Sequence, residues 1–440
     1  MNIEDLILVS VDDHVIEPPH LFDGRLPAKY QDKAPRLTTR DDGTMVWLYE
    51  DQAITNVALN AVVGRPREEL GYEPVSLEEL RLGVYDIHSR VRDMDANGVL
   101  GAICFPSFVR FAGQLFTKFG RDRDQAAAMV RAYNDWHIDE WAGTYPGRII
   151  PLSIPMLWDP EACADEVRRV AEKGCHAISF SASPFALGLP SIHSDHWDPV
   201  WKACVEEGTV ICMHLGSSSV DPVTSPDAPV EVLHTLTPIG LYETAAEILW
   251  SPMFRKFPEL RVSLTEGGIG WIPYFLERVD HLYSYTKYWS GTDMGGRQPS
   301  DIFKEHVYLC FITDEVGMDN LDRMNVDNIM WECDYPHSST TWPHGPEAAM
   351  EHVGRFSDEV IDKITHGNAM RAYHYDPFTH IPREAATVGA LRARAADWDI
   401  SIKSSAHLRP GYTGPRVREE GQITIGTATA GRMLAGRKGA

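Results

Sequence analysis

Residues able to bind a metal stand where predicted β-strands end. Asp12, Asp13 and His14 follow the apolar run Leu6–Val11, and Glu17 comes three residues later. His214 follows Thr209–Met213, Glu266 comes just after Arg261–Leu264, and Asp334 and His337 come just after Asn328–Trp331. Asp12 and His14 are two apart, so alternation along an extended chain sends both side chains to one side and Asp13 to the other. Taken singly, each of these reads equally well as a hydrogen-bonded loop anchor. Glu17 in particular could pair with an Arg or cap the chain before Pro18 and Pro19. Taken together they argue for metal, because carboxylates crowded away from water need a cation to offset their repulsion. Asp12, Glu17, Glu266 and Asp334 with His14 and His214 are more donors than a four-coordinate zinc uses. Such a set favours harder ions, iron or manganese, and room for two of them with Asp334 or Glu266 as the bridge.

These residues converge only if the intervening chain brings the strand ends together. Short β-branched or apolar runs at Leu6–Val11, Gly101–Phe105, Arg148–Leu152, Ala177–Phe180, Thr209–Met213, Arg261–Leu264, Val307–Phe311 and Asn328–Trp331 alternate with helical patterns. The clearest helices, Asp122–Glu140, Pro160–Lys173, Pro199–Glu207 and Trp271–Tyr285, carry apolar residues at intervals of three and four. Eight such units predict an α/β fold of the (β/α)8 TIM-barrel kind, whose active site lies at the C-terminal ends of the strands. His193, His196 and Asp314 fall at that same end. Phe105, Phe108, Phe111, Trp271 and Trp342 are candidates for apolar walls, with Phe105, His196 and Trp271 the first choices for contact with substrate.

Two stretches break the rhythm. From about residue 20 to about residue 85 the chain makes an excursion between the first and second strands. It holds a hairpin signal, Arg40–Thr44, and is expected to form a lid or a subunit contact. From residue 386 to residue 440 it turns rich in Ala, Gly, Thr and Arg and reads as an extended arm on a barrel of residues 1–385. Lys and Arg number 41 against 63 Asp and Glu, a net charge of −22, which disfavours nucleic acid and anionic membrane surfaces as partners. Beyond Ala386, however, nine basic residues face four acidic ones, so a basic arm is attached to an acidic body. That pairing predicts an oligomer, with a second copy or a related subunit. Seven thinly spread cysteines without a CxxC pair read as reduced, buried thiols. An N-terminus that is acidic where a secretion signal is basic gives a cytoplasmic expectation. No HExxH, nucleophile elbow, P-loop or dinucleotide fingerprint is present.

Several stretches, in this order and spacing, resemble the amidohydrolase superfamily: VDDHVIEPP, NDWHIDEW, YPGRIIPLSIP, WDPVW, MHLGSSS, EGGIGWIPYFLERVD, DYPHSSTTWP and HGNAMRAY. The likeness is to its amidohydrolase 2 branch, which includes the aminocarboxymuconate-semialdehyde decarboxylase-like enzymes, and covers roughly the first 380 residues. The resemblance implies a (β/α)8 barrel with one or two divalent ions, iron, manganese or zinc, at the strand ends. Asp12-x-His14 corresponds to the first-strand ligand pair, His214 to the fifth-strand ligand and Asp334 to the eighth-strand Asp. Where decarboxylases and many hydrolases of the superfamily carry a sixth-strand His, this chain has Glu266. The expected activity is therefore hydrolysis of a small carbonyl-containing substrate by a metal-activated water, with Asp334, Glu266 or His337 moving the proton. Oxygen-dependent hydroxylation of a small amine or amino acid at an Fe or Mn site, non-oxidative decarboxylation, and a metal-free partner subunit are the alternatives.

Overall fold

The computed structural model describes residues 1–408 except 221, 223 and 226. All eight expected strands form, and all are parallel to their neighbours: β1 (Val9–Val15), then, after three antiparallel strands, β5 (Gly101–Pro106), β6 (Ile149–Ile150), β7 (Ala177–Ser179), β8 (Val210–His214), β9 (Val262–Thr265), β10 (Val307–Phe311) and β11 (Ile329–Trp331). They fall into two sheets, ordered β1-β5-β6 and β11-β10-β9-β8-β7. A parallel bridge between Ser153 and Ile178 joins the β6 side of one to the β7 side of the other. At the opposite edges, Asp334 N donates to Asp12 O at 2.7 Å and His14 N donates to Tyr335 O at 2.6 Å.

Helices between the strands start on residues chosen for the task. Asp86, Asp122 and Asp159 each accept backbone N–H bonds at the entrances of Ile87–Asn97, Arg123–Trp136 and Pro160–Ala171. Gly98, in the left-handed region at φ 80°, ends the first of them. Side chains such as Val9, Val11, Ile103, Ile150, Cys212 and Met330 pack into one apolar cluster, and a larger one lies between strands and helices. This double-sided burial is why the strands read as continuous apolar runs. All seven cysteines are buried and unpaired. Among the described residues no helix is long and apolar enough to cross a membrane.

Strand one differs from its predicted bounds. It begins and ends later than Leu6–Val11, so that Asp12 and His14 lie within the strand and not in a loop beyond it. Its register against β5 shifts between Ser10 and Asp13, a bulge of the kind that re-aims side chains beside active sites.

The excursion carries the antiparallel strands β2 (Arg36–Thr39), β3 (Met45–Tyr49) and β4 (Gln52–Ile54), with the predicted hairpin closed at Arg40–Thr44. It lies against the strand-end rim. Trp47 stacks on Phe108 at 4.2 Å, Val62 N and Val63 N both donate to Pro336 O at 3.0 Å, and Asn60 Nδ2 donates to Ser338 Oγ at 3.1 Å.

The start of the expected arm is not extended. Residues 388–394 form a helix, Val388 N donates to Leu6 O at 2.8 Å, and Trp398 Nε1 donates to Asp93 Oδ1 at 2.7 Å. Val388 and Leu391 are fully buried, so apolar contact overrides the loose composition of this stretch. Residues 409–440 of that expectation lie outside the described residues.

Candidate metal centre

Four donor atoms face one another where β1, β8 and the chain after β11 meet. His14 Nε2 is 3.4 Å from Asp12 Oδ1 and 3.5 Å from Asp334 Oδ1, and His214 Nε2 is 3.2 Å from Asp12 Oδ1. Neighbouring ligands around one tetrahedral first-row ion, with bonds of about 2.1 Å, lie about 3.4 Å apart. These separations therefore match the edges of a single coordination shell. The four residues are completely buried, yet both Asp12 oxygens, both His14 nitrogens and His214 Nε2 lack a hydrogen bond. Buried polar atoms without partners are costly, and a divalent cation would satisfy them together. The donor set fits such an ion.

The surrounding residues aim these donors. His214 Nδ1 lies 2.5 Å from Leu215 O. Its N–H is engaged there, which leaves the Nε2 lone pair toward the cluster. Phe111 and Phe105 cover the His214 ring at centroid distances of 4.2 and 4.7 Å. The His337 ring packs tilted against His14 at 3.9 Å and pairs through Nδ1 with Asp334 Oδ1 at 2.8 Å. Ser339 Oγ donates to the other Asp334 oxygen. His14, Asp334 and His337 make a second group of possible ligands that shares two members with the first set of four.

Electrostatics in the ion-free protein express the same crowding. Burial, then the neighbouring Asp334, pushes Asp12 and Glu266 well above the usual carboxylate range. Burial, with other imidazoles adding to it, lowers His14. Burial would lower His337 too, but the Asp334 carboxylate outweighs it and holds the imidazole up at about 9.

The remaining expected residues separate clearly. Glu266 reaches the cluster: its Oε2 is 3.6 Å from His214 Nε2, and its side chain keeps 24% exposure. Its backbone sits at φ 68°, and Asp334 sits at φ 57°, both in the strained left-handed region. Glu17 does not join them. Its two oxygens accept Ser107 N at 3.0 Å and Phe108 N at 2.7 Å, which makes it the anchor of the loop after β5 and removes it from the ligand set. The distance along the chain from Asp12 had hidden that its carboxylate turns to a different loop.

Asp314 likewise holds the 269–270 turn, accepting Ile269 N at 2.6 Å and Gly270 N at 2.7 Å. His196 packs edge-on against Trp197 at 4.8 Å, and His193 bonds Glu247 at 2.8 Å. Trp271 donates its indole N–H to Gly267 O at 3.0 Å and packs on Tyr242 and Phe275. Among the described residues, these contacts tie His196 and Trp271 to their own loops and not to the donor cluster. Phe105 is the one of the three substrate-contact choices that lines it.

Glu332 was missed by the sequence reading. It is 1% exposed, its Oε2 accepts Glu266 N at 3.3 Å, and burial followed by the Asp12 charge raises its carboxyl well above the usual range. Its place directly after the eighth strand, Ile329–Trp331, was the available signal.

The sequence family described as Amidohydrolase matches residues 80–375. Among solved structures, an amidohydrolase from Mycobacterium avium subsp. paratuberculosis is similar with a TM-score of 0.66 at 21% identity, over 83% of this chain and 99% of its own. The 5-carboxyvanillate decarboxylase of Sphingomonas paucimobilis gives a TM-score of 0.58 at 18% identity, over 84% and 100%. A dihydroxybenzoic acid decarboxylase from Polaromonas sp., solved with bound manganese and 2-nitroresorcinol, gives 0.56 at 19% identity, over 86% and 98%. At these identities the likeness to the three structures is one of fold.

Proposed function

Because the chain belongs to the amidohydrolase family, we propose that it is a divalent-metal-dependent carboxy-lyase. It would release CO2 from a small carboxylic acid without oxidation, at one ion held by Asp12, His14, His214 and Asp334. The observation that carries this reading is His337. Its Nδ1 is paired with Asp334 at 2.8 Å while its Nε2 is buried without a hydrogen bond beside the donors. An imidazole held in that way is oriented to present a proton from Nε2 where a carbanion needs one. The bound ion would act as a Lewis acid that holds the substrate and takes up negative charge as it develops. Asp334 orients His337, Phe105 and Phe111 exclude water, and His337 delivers its proton from Nε2. The two decarboxylases named above share the fold, and their aromatic acids are the first substrates to try. Manganese is the first ion to try, since half of this donor set is carboxylate.

Glu266 favours a second reading. A partly exposed carboxylate next to His214 is where a base for an attacking water would stand, which is the hydrolysis expected from the sequence. Product analysis separates the two: Mn(II)-loaded protein that liberates CO2 from an aromatic acid supports the lyase. Incorporation of 18O from water into an organic product, with no CO2, overturns it.

The eight parallel strands, bridged at one side and hydrogen-bonded at the other, support closure as a (β/α)8 barrel. The basic excess beyond Ala386 supports an oligomer assembled through the C-terminal residues. Removal of residues after Pro410 should lower the number of chains in the sedimenting species, and an unchanged number of chains would refute that assembly.

A further inference from the structure

Behind the donor cluster, on the other side of β1, a single guanidinium touches several separate segments of chain. Arg90, from helix Ile87–Asn97, is 0% exposed. Its Nε donates to Gly83 O at 2.7 Å, one terminal nitrogen reaches Cys104 Sγ on β5 at 3.4 Å, and the other donates to the carbonyl of His14. Asp13 supplies a carboxylate at 3.6 Å. The guanidinium lies over the Tyr335 ring at 4.3 Å, an arrangement that favours a planar cation.

These contacts fall on the segments that carry the donors. His14 is itself a donor, Asp13 lies between Asp12 and His14, and Tyr335 lies between Asp334 and His337. The backbones of His14 and Tyr335 also bond directly at 2.6 Å. A regular ladder does not set their spacing. β1 bulges between Ser10 and Asp13, and β11 ends at Trp331, short of Asp334. Two backbone hydrogen bonds, Asp334 N to Asp12 O and His14 N to Tyr335 O, join the segments outside a regular ladder, and the contacts of Arg90 back that junction, across which His14 Nε2 and Asp334 Oδ1 lie 3.5 Å apart.

We propose that Arg90 is a positioning residue of the metal centre. Its buried guanidinium holds the Asp12/His14 segment against the Asp334/His337 segment, and so sets the affinity and the coordination geometry of the ion. The proposal rests on reading the cluster as a metal site. A cation that served the fold alone would change the melting temperature of the ion-free protein and leave the ion's surroundings as they are.

Co(II) titration of full-length protein tests this through affinity and the visible ligand-field bands. Arg90→Lys keeps a charge but cannot make the same set of contacts, and Arg90→Met removes the charge. A folded variant, judged by the near-UV circular dichroism of the ion-free protein, should bind Co(II) about 10- to 100-fold more weakly with shifted bands. Wild-type affinity and bands in a folded Arg90→Lys or Arg90→Met protein would overturn the proposal. Should neither fold, Asp13→Asn, which keeps the side-chain shape and removes the carboxylate facing Arg90, is expected to shift the same bands. Unchanged bands there would overturn it equally. If wild-type protein binds neither Co(II) nor Mn(II), the metal reading itself fails and the role of Arg90 falls with it, an outcome distinct from metal bound identically by wild type and variant.

Discussion

Adjacent residues of β1 show two ways of burying a carboxylate. Asp12 faces the cluster, and neither of its oxygens has a hydrogen bond. Asp13 faces away, accepts Ser10 Oγ at 2.9 Å and Tyr335 N at 3.2 Å, and stands beside Arg90. The same division runs around the rim. Glu17 and Asp314 are taken up by backbone N–H groups, whereas Asp334 and Glu266 crowd with Asp12 around three imidazoles. Burial therefore does not distinguish a functional carboxylate from a scaffolding one, since Asp12 and Glu17 are both 0% exposed. Hydrogen-bond partners do: neither Asp12 oxygen has one, whereas Ser107 N and Phe108 N donate to the two Glu17 oxygens.

The sharpest way to break this comparison is to neutralise the unfilled side. Asp12→Asn should abolish metal binding and lower activity by at least about 10³-fold. It should leave the ion-free protein as stable as wild type or more so, because one carboxylate of a crowded group is gone. Elemental analysis and thermal melts check this, and a large loss of stability would place Asp12 on the scaffolding side.

Glu17→Gln should do the reverse. Metal stays bound, while one buried N–H of the 107–108 turn loses its acceptor, at a cost of about 1–3 kcal/mol. A pH signature goes with it. Burial outweighs the backbone N–H bonds and raises the Glu17 carboxyl from 4.5 to about 7 in the folded protein. Folding therefore favours the protonated form, and that contribution is complete below about pH 4.5 and lost as pH rises through about 7. Denaturant titrations across this window should show a slope in wild type that is flatter in Glu17→Gln. Loss of metal from the variant would instead return Glu17 to the ligand set.

A smaller effect is expected at Asp314. Asp314→Ala frees the N–H groups of Ile269 and Gly270, on the turn just beyond Glu266. A several-fold rise in KM with unchanged metal content is expected, within about 1 kcal/mol of binding. Loss of the ion would show that this turn shapes the ligand set as well as the opening.

Much of this was legible along the chain. Strand positions followed from apolar runs buried on two faces, and helices from apolar residues at intervals of three and four. Alternation correctly sent Asp12 and His14 to one side and Asp13 to the other, because side-chain direction in an extended chain is a local property. Glu17 failed for the opposite reason. Beyond Val15 the chain leaves the strand, periodicity no longer governs direction, and the carboxylate goes to whichever loop offers N–H groups. The helix at 388–394 was obscured because a small apolar face counts only once a surface exists for it to cover.

Local order and residue type by themselves determined the eight strands, the donors attached to their ends and the family to which the chain belongs. Tertiary structure decided which buried carboxylates remain without partners, that His337 packs against His14 and pairs with Asp334, and that a guanidinium lies behind the site against His14, Asp13 and Tyr335. Those facts depend on segments more than 300 residues apart meeting within a few ångströms, as Asp334 N and Asp12 O do at 2.7 Å. Hydrogen-bond satisfaction is a property of the assembled neighbourhood, and no single stretch of chain contains it.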